Sequence, residues 1–150
     1  MDNLRVMRTS SDWSKLATKT LAWLVVAGVF VVVFVAVRFI LDAYWNAERL
    51  KDVQTITVAL RQYAADHDGR YPADLEAEEK QLGSSSIGCE IATPQCSVSA
   101  SNCLNLATEL KPYLGEIPSD PAKWDDSRTR YTVRVERGGG LLVTACDYSK

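Results

Sequence analysis

An uninterrupted apolar run dominates the pattern of hydrophobic and polar positions along this chain. The run covers residues 21–37 without a charged side chain, and residues 39–41 extend it beyond Arg38. At a rise of 1.5 Å per residue, a helix of this length crosses a hydrocarbon core about 30 Å thick. We therefore predict that residues 21–41 form the transmembrane half of a long helix and that residues 1–20 form a cytoplasmic N-terminal leader.

A cleaved signal peptide is the main alternative interpretation of the apolar run. The apolar core of a signal peptide is usually about 7 to 15 residues long, and a small-x-small cleavage site follows it. Here Arg38 and the bulky side chains of residues 39–45 follow the run instead. We therefore expect an uncut anchor, with Met1 or Asp2 at the N-terminus.

A polar segment with a helical repeat continues directly from the apolar run. Between residues 42 and 66, apolar side chains recur mostly at steps of three or four, which places them on one face of a helix. The pair Asp68 and Gly69 is typical of a helix end, because both residue types tolerate positive φ. The predicted buried face consists of Leu50, Val53, Ile56, Leu60 and Tyr63.

The remaining sequence predicts one small outer domain over residues 42–150. Its predicted fold class is α+β, a long N-terminal helix packed on a small antiparallel β-sheet. The glycines at 138–140 separate two apolar strands and indicate a hairpin. The predicted elements after the long helix are a short acidic helix at 73–82, a loop at 83–102, a short helix capped by Asn102, and strands at 131–136 and 141–146.

The four cysteines, Cys89, Cys96, Cys103 and Cys146, all follow the apolar run. An even number in a small domain indicates disulfides, which form in oxidising compartments. A zinc site is the alternative, but the spacing lacks the short ligand pairs of zinc ribbons. We expect two intramolecular disulfides and, of three connectivities, predict Cys89 with Cys96 and Cys103 with Cys146. The domain then lies outside the cytoplasmic (inner) membrane, which the chain crosses once with its N-terminus inside.

Charge and motifs argue against several function classes. The chain has 17 basic and 19 acidic residues, a net charge of −2, and no basic footprint for nucleic acid. The single histidine, His67, lies at a helix end and is interpreted as a solvated turn residue. No G-x-S-x-G, H-E-x-x-H or phosphate-binding motif occurs. We therefore expect no nucleic-acid partner and no enzymatic activity.

Two sequence segments carry a family resemblance. The string LRQYAADHDGRYP at residues 60–72, followed by IPSDP at 117–121 and a terminal strand pair, resembles type IV pilins and type II secretion pseudopilins, in particular the major pseudopilins. The cysteine-bearing segments resemble pilin-like proteins of small-genome candidate-phylum bacteria. The resemblance covers residues 20–148. It implies a structural subunit of a type IV pilus or a type II secretion-like filament, with the lipid bilayer and other pilin-like subunits as partners of the long helix.

The same resemblance implies a candidate calcium site near the last strands. Pseudopilins of this kind carry calcium in a loop near their last strands, and Asp120, Asp125 and Asp126 offer the oxygen ligands that calcium prefers. Interleaved basic residues offset this charge, and the spacing is not that of an EF-hand. We therefore expect no cofactor, with calcium at these three aspartates as the alternative.

The family's processing site is missing from this sequence. Pilins begin with a short basic leader that ends in Gly and precedes a Glu-bearing start, whereas the first glycine here is Gly28, inside an apolar run that contains no Glu. The resemblance then implies a pilin-type domain on an uncut anchor. The alternative is a single-pass extracellular binding or adhesion domain that has a pilin-like fold and does not polymerise.

Overall fold

The computed structural model describes residues 10–75, 77–123 and 125–149, with side chains from residue 19 onward. The chain divides into two compact units, and the division falls between Leu41 and Asp42. Residues 1–9 of the predicted leader, including the expected N-terminus, lie outside the described residues.

One helix, α1, runs from Ser10 to Asp66 and belongs to both units. The predicted stop signal, Asp68 and Gly69, follows its last residue directly after His67, and these two residues have φ values of 55° and 79°. The Gly69 amide donates to the Ala64 carbonyl at 2.8 Å and so satisfies a carbonyl of the last turn. The later elements are β1 (Lys80–Leu82), β2 (Ile91–Ala92), β3 (Ser97–Val98), β4 (Cys103–Leu104), α2 (Ala107–Leu110), β5 (Tyr131–Val135) and β6 (Leu141–Ala145).

The second unit begins at Asp42 and is called the outer unit below, after the outer domain that the sequence predicts. It confirms the α+β class, and its main sheet is mixed. Four strands lie in the order β4, β1, β5, β6, and the predicted β5–β6 hairpin is present. Strand β1 pairs antiparallel with β5 but parallel with β4, so the sheet contains one parallel pair that the predicted antiparallel arrangement does not include. A parallel pair needs a long connection, and residues 83–102 supply it.

Two short helices were predicted in the wrong places. The expected acidic helix at 73–82 is replaced at its end by β1, because Leu82 is completely buried and the strand pairs on both of its sides. Asn102 does not cap a helix, since its carbonyl accepts the Gln81 amide at 2.9 Å and so extends the sheet. The only turn of helix in this region begins later, where the Ala107 amide donates to the Asn105 side chain at 3.0 Å.

The core of the outer unit lies between α1 and one face of the sheet. Ile56 and Leu60 are completely buried as predicted, and Tyr131 packs in the same cluster. The prediction is wrong for Leu50, which is 50% exposed, whereas its neighbour Arg49 is 5% exposed. The buried face is therefore rotated by about one residue at the start of this segment, because Arg49 has a buried partner on the sheet side.

This rotation predicts opposite results for two leucines of the same helix. Leu60→Ala should lower the free energy of unfolding by about 2–4 kcal/mol, because it opens a cavity in the core. Leu50→Ala removes the same atoms from an exposed position and should change it by less than about 0.5 kcal/mol. Chemical denaturation of the two variants measures both values, and equal losses would show that the assigned face is wrong.

The opposite face of the sheet carries the β2–β3 hairpin. Ile91, Val98, Cys96 and Cys146 form a second, smaller hydrophobic cluster there. Thr132, which follows Tyr131 in β5, contacts Cys96 from this side, with its Oγ1 at 3.4 Å from Sγ. The sheet of the outer unit therefore has the helix on one face and the hairpin on the other.

Two disulfides fasten the hairpin, and their pairing differs from the prediction. Cys89 is bonded to Cys103 and Cys96 to Cys146, and no cysteine of the described residues is free. Two intramolecular bridges were expected, so their number is confirmed. The predicted partners, Cys89 with Cys96 and Cys103 with Cys146, are wrong.

The register of the hairpin explains why the predicted bridge cannot form. Cys89 lies opposite Ala100, to whose carbonyl its amide donates, and Cys96 lies opposite Thr93 at the turn. Cys89 and Cys96 are thus at opposite ends of the hairpin, roughly 13 Å apart by strand rise. A disulfide tolerates a Cα–Cα distance of at most about 7 Å.

Candidate functional site

The apolar half of α1 presents a large hydrophobic surface. Among its described large side chains, the exposed fraction ranges from 39% at Leu41 to 74% at Trp23. Soluble proteins rarely expose a continuous patch of this kind unless it meets a membrane or another protein. The helix is long and apolar enough to cross a membrane, and 0% of its most apolar window is buried inside the molecule. The surface consists of Leu21, Trp23, Leu24, Val25, Val26, Val29, Phe30, Val31, Val32, Val33, Phe34, Val35, Val37, Phe39, Ile40 and Leu41.

A buried ion pair connects the domain half of α1 to the segment before β5. Arg49 donates from Nε to Asp120 Oδ2 at 2.6 Å and from Nη2 to Oδ1 at 3.1 Å. The exposed side-chain fractions are 6% for Arg49 and 1% for Asp120. The hydrogen bond with Asp120 raises the pKa of Arg49 and outweighs the opposing effect of burial. The pair therefore holds the IPSDP turn against the helix in a fixed geometry.

A second polar contact lies one turn further along the helix. Tyr131 donates its hydroxyl to Asp52 Oδ2 at 2.6 Å. Burial raises the pKa of Tyr131, and the hydrogen bond with Asp52 raises it further. Burial also raises the pKa of Asp52, while the same hydrogen bond lowers it. Strand β5 is thus joined to α1 by a neutral hydroxyl donor and a partly desolvated carboxylate.

The C-terminal segment is fastened in the same region. Asn46 donates its side-chain amide to the Ser149 carbonyl at 2.7 Å. Arg130 binds both carboxylate oxygens of Asp147, at 2.5 and 2.8 Å. The hydrogen bond with Arg130 lowers the pKa of Asp147, although partial burial opposes it. Helix α1, the IPSDP turn and the chain end therefore form one connected polar network.

Two of the three calcium candidates, Asp120 and Asp125, have side-chain partners within the protein. Asp120 accepts from Arg49 and from the Ala122 amide at 2.9 Å. Asp125 accepts from the Ser127 amide at 3.0 Å and from Arg128 Nε at 3.2 Å, and the Ser127 side chain is the main cause of its lowered pKa. For Asp126, the structure gives a backbone contact only, from the Ser84 amide. The described part of the chain has no group of three or more His, Cys, Asp or Glu residues arranged to hold a metal.

His67 lies in a shallow depression at the end of α1. Its ring stacks on Tyr63 with centroids 3.9 Å apart, and its Nδ1 lies 2.7 Å from the Tyr63 carbonyl. The depression has a volume of about 440 Å³. Its described lining contains no Ser, Thr or Cys that could act as a nucleophile beside the imidazole. The lining residues are Tyr63, Asp66, His67, Asp68, Arg70, Tyr71 and Ala73.

The four cysteines stabilise the fold through disulfides. Cys89, Cys96 and Cys146 are 1%, 3% and 0% exposed, and all four are bonded in the two disulfides. Disulfides persist in oxidising compartments, which indicates that the outer unit resides in one.

The buried network is the feature that sequence reasoning missed. The buried face predicted from the sequence includes Leu50 and leaves Arg49 out. A usable signal was present in the spacing, since positions 49, 53, 56, 60 and 63 follow steps of four and three. Arg49 therefore fits the buried face better than Leu50 does. Its partner Asp120 was considered only as a calcium ligand.

Comparison of the chain with protein-family models, with curated proteins and with solved structures finds no match.

Proposed function

We propose that this protein is a membrane-anchored pilin-like structural subunit that assembles through its long helix and catalyses no reaction. The observation that carries the proposal is helix α1, whose first half exposes an apolar surface while its second half forms the spine of a small disulfide-bonded α+β domain. The assembly would be a type IV pilus or a type II secretion-like filament.

The geometry of the family-like segments supports this proposal. The LRQYAADHDGRYP segment contains the buried Leu60 and the glycine that ends α1, so it forms the junction between spine and domain. The IPSDP segment supplies Asp120, whose pairing with Arg49 holds the turn on the spine. Both segments thus have the structural task of fixing a small domain on a long helix.

The apolar half suits packing in a bilayer. Lipid chains are as apolar as valine, so helices associate there through close van der Waals contact and not through the hydrophobic effect. Valine is stiff about χ1 in a helix and therefore loses little conformational freedom when it packs. We propose that this half crosses the inner membrane with the N-terminus inside, and that it contacts lipid and other pilin-like subunits.

A charge in the middle of the span tests the anchoring part of this proposal. Val32→Arg should weaken the retention of the chain in the membrane, because a central arginine costs about 2.5–3.5 kcal/mol on the insertion scale. The measurement is the fraction of chain that remains in the membrane after carbonate extraction. His67→Ala is the matched control and should change neither retention nor function.

Two outcomes would contradict the proposal. Retention of Val32→Arg at the level of the unmodified chain would show that residues 21–41 do not cross the membrane. Loss of activity in His67→Ala, with normal localisation, would point to an active site in the depression around His67.

A second candidate function is a single-pass extracellular binding or adhesion domain that does not polymerise. The absence of glutamate from the apolar run and of a glycine shortly before it favours this candidate, because pilins are cut after the glycine and use the glutamate in assembly. The two candidates differ in whether the apolar half of α1 packs against other subunits or only against lipid.

A further inference from the structure

A pocket on the outer unit combines aromatic and acidic side chains beside the first turns of the domain half of α1. Its volume is about 300 Å³, which is enough for a small polar group. It is separate from the depression that contains His67. The pocket is lined by Tyr44, Trp45, Glu48 and Asp52 of α1 and by Pro118, Ser119 and Pro121 of the IPSDP turn.

The helix brings the aromatic and acidic groups together by its repeat. Tyr44, Glu48 and Asp52 are each four residues apart, so they lie on one helical face, with Trp45 beside them. Aromatic faces and carboxylates both attract cations, and together they form the usual environment for an ammonium group. The chemistry of the lining therefore favours a positively charged amine.

The described residues supply little positive charge to the two carboxylates of this pocket. Arg49 is directed to Asp120, and no Lys or Arg is among the described lining residues. Glu48 pairs with Lys51 only at 3.4 Å and in an exposed position, where such a pair contributes little. Partial burial raises the pKa of Asp52, so a bound cation would offset the cost of keeping this carboxylate charged.

The position of the pocket along α1 indicates which kind of molecule would supply the amine. Tyr44 and Trp45 follow Leu41 by three and four residues, which is roughly 5–6 Å of helix rise. The headgroup layer on each side of a hydrocarbon core has a thickness similar to this helix rise. Helical side chains also lean toward the N-terminus of their helix, which brings the carboxylates of Glu48 and Asp52 nearer to the level of Tyr44 and Trp45.

We infer that this pocket binds the ammonium headgroup of a phospholipid, such as phosphatidylethanolamine, at the membrane surface. The inference rests on the membrane anchoring in the proposed function. Trp45 and Tyr44 would cover the ammonium group, while Glu48 and Asp52 would bind its hydrogens. The pocket would thereby fix the depth and the rotation of α1 at the membrane surface.

Native mass spectrometry of the full chain, released from nanodiscs with equal amounts of phosphatidylethanolamine and phosphatidylglycerol, tests this inference. We expect one tightly retained phosphatidylethanolamine. The double variant Glu48→Gln/Asp52→Asn should lower the preference for this lipid by roughly tenfold, because it removes both charges that face the ammonium group. Asn at position 52 can still accept from Tyr131, so the fold should be preserved.

The control variant Asp74→Asn/Glu109→Gln removes two exposed carboxylates elsewhere and should keep the preference. Equal retention of the two lipids, or a preference that survives the pocket variant, would overturn the inference. Dimers that depend on Glu48 and Asp52 without any lipid preference would overturn it too, since a basic side chain of a second copy would then fill the pocket. Incorporation into nanodiscs is measured in the same samples, so a failure of anchoring is distinguished from a failure of headgroup binding.

Discussion

Asp120→Ala should lower the free energy of unfolding of the outer unit by about 3–5 kcal/mol, because it leaves the buried guanidinium of Arg49 without its carboxylate. Arg49 is 5% exposed and makes two of its hydrogen bonds to Asp120. Water cannot replace this partner without opening the contact between α1 and the IPSDP turn. Chemical denaturation followed by circular dichroism measures the loss.

Two further variants separate the lost pair from other effects of the substitution. Glu109→Ala removes an exposed carboxylate and should leave the unfolding midpoint nearly unchanged. Arg49→Met/Asp120→Leu removes both charges and should recover most of the loss, because apolar replacements of a buried pair are often neutral or stabilising. A loss below about 1 kcal/mol for Asp120→Ala would show that the pair is solvated, as surface pairs are.

Cys96→Ser/Cys146→Ser should lower the free energy of unfolding by about 4 kcal/mol on the chain-entropy model, because this bridge closes a long loop. The two cysteines are separated by 50 positions, whereas Cys89 and Cys103 are separated by 14. Removal of the shorter bridge by Cys89→Ser/Cys103→Ser should cost about 3 kcal/mol on the same model. Thermal unfolding of both variants gives the order of the two effects.

Peptide mapping without reduction checks the pairing on which this order depends. A peptide that joins Cys96 to Cys146 is expected. A peptide that joins Cys89 to Cys96 would contradict the structure and would restore the connectivity that the sequence alone suggested.

The sequence predicted the elements that depend on local pattern. The apolar run, the helical repeat through Ile56 and Leu60, the stop at Gly69 and the β5–β6 hairpin all follow from the spacing of apolar residues and glycines. These features require few long-range contacts, so local reasoning finds them.

The errors concern features that only tertiary contacts decide. Strand β1 looks helical by composition and becomes a strand because β4 and β5 pair with its two edges. The disulfide partners depend on a hairpin register that cysteine spacing does not encode. The rotation of α1 at Arg49 depends on Asp120, which lies 71 positions away. The family assignment and the assembly function stay predictions.

Crosslinking within the apolar half of α1 tests the central claim most directly. Single cysteines are introduced in turn at Val29, Phe30, Val31, Val32 and Val33, and membranes from cells that make the chain are treated with an oxidant. The account predicts disulfide-linked dimers, in which the introduced cysteines of two copies are joined, at positions spaced three or four apart, and few at the positions between them. A chain that is retained in the membrane and stays monomeric at every position would contradict assembly through this helix.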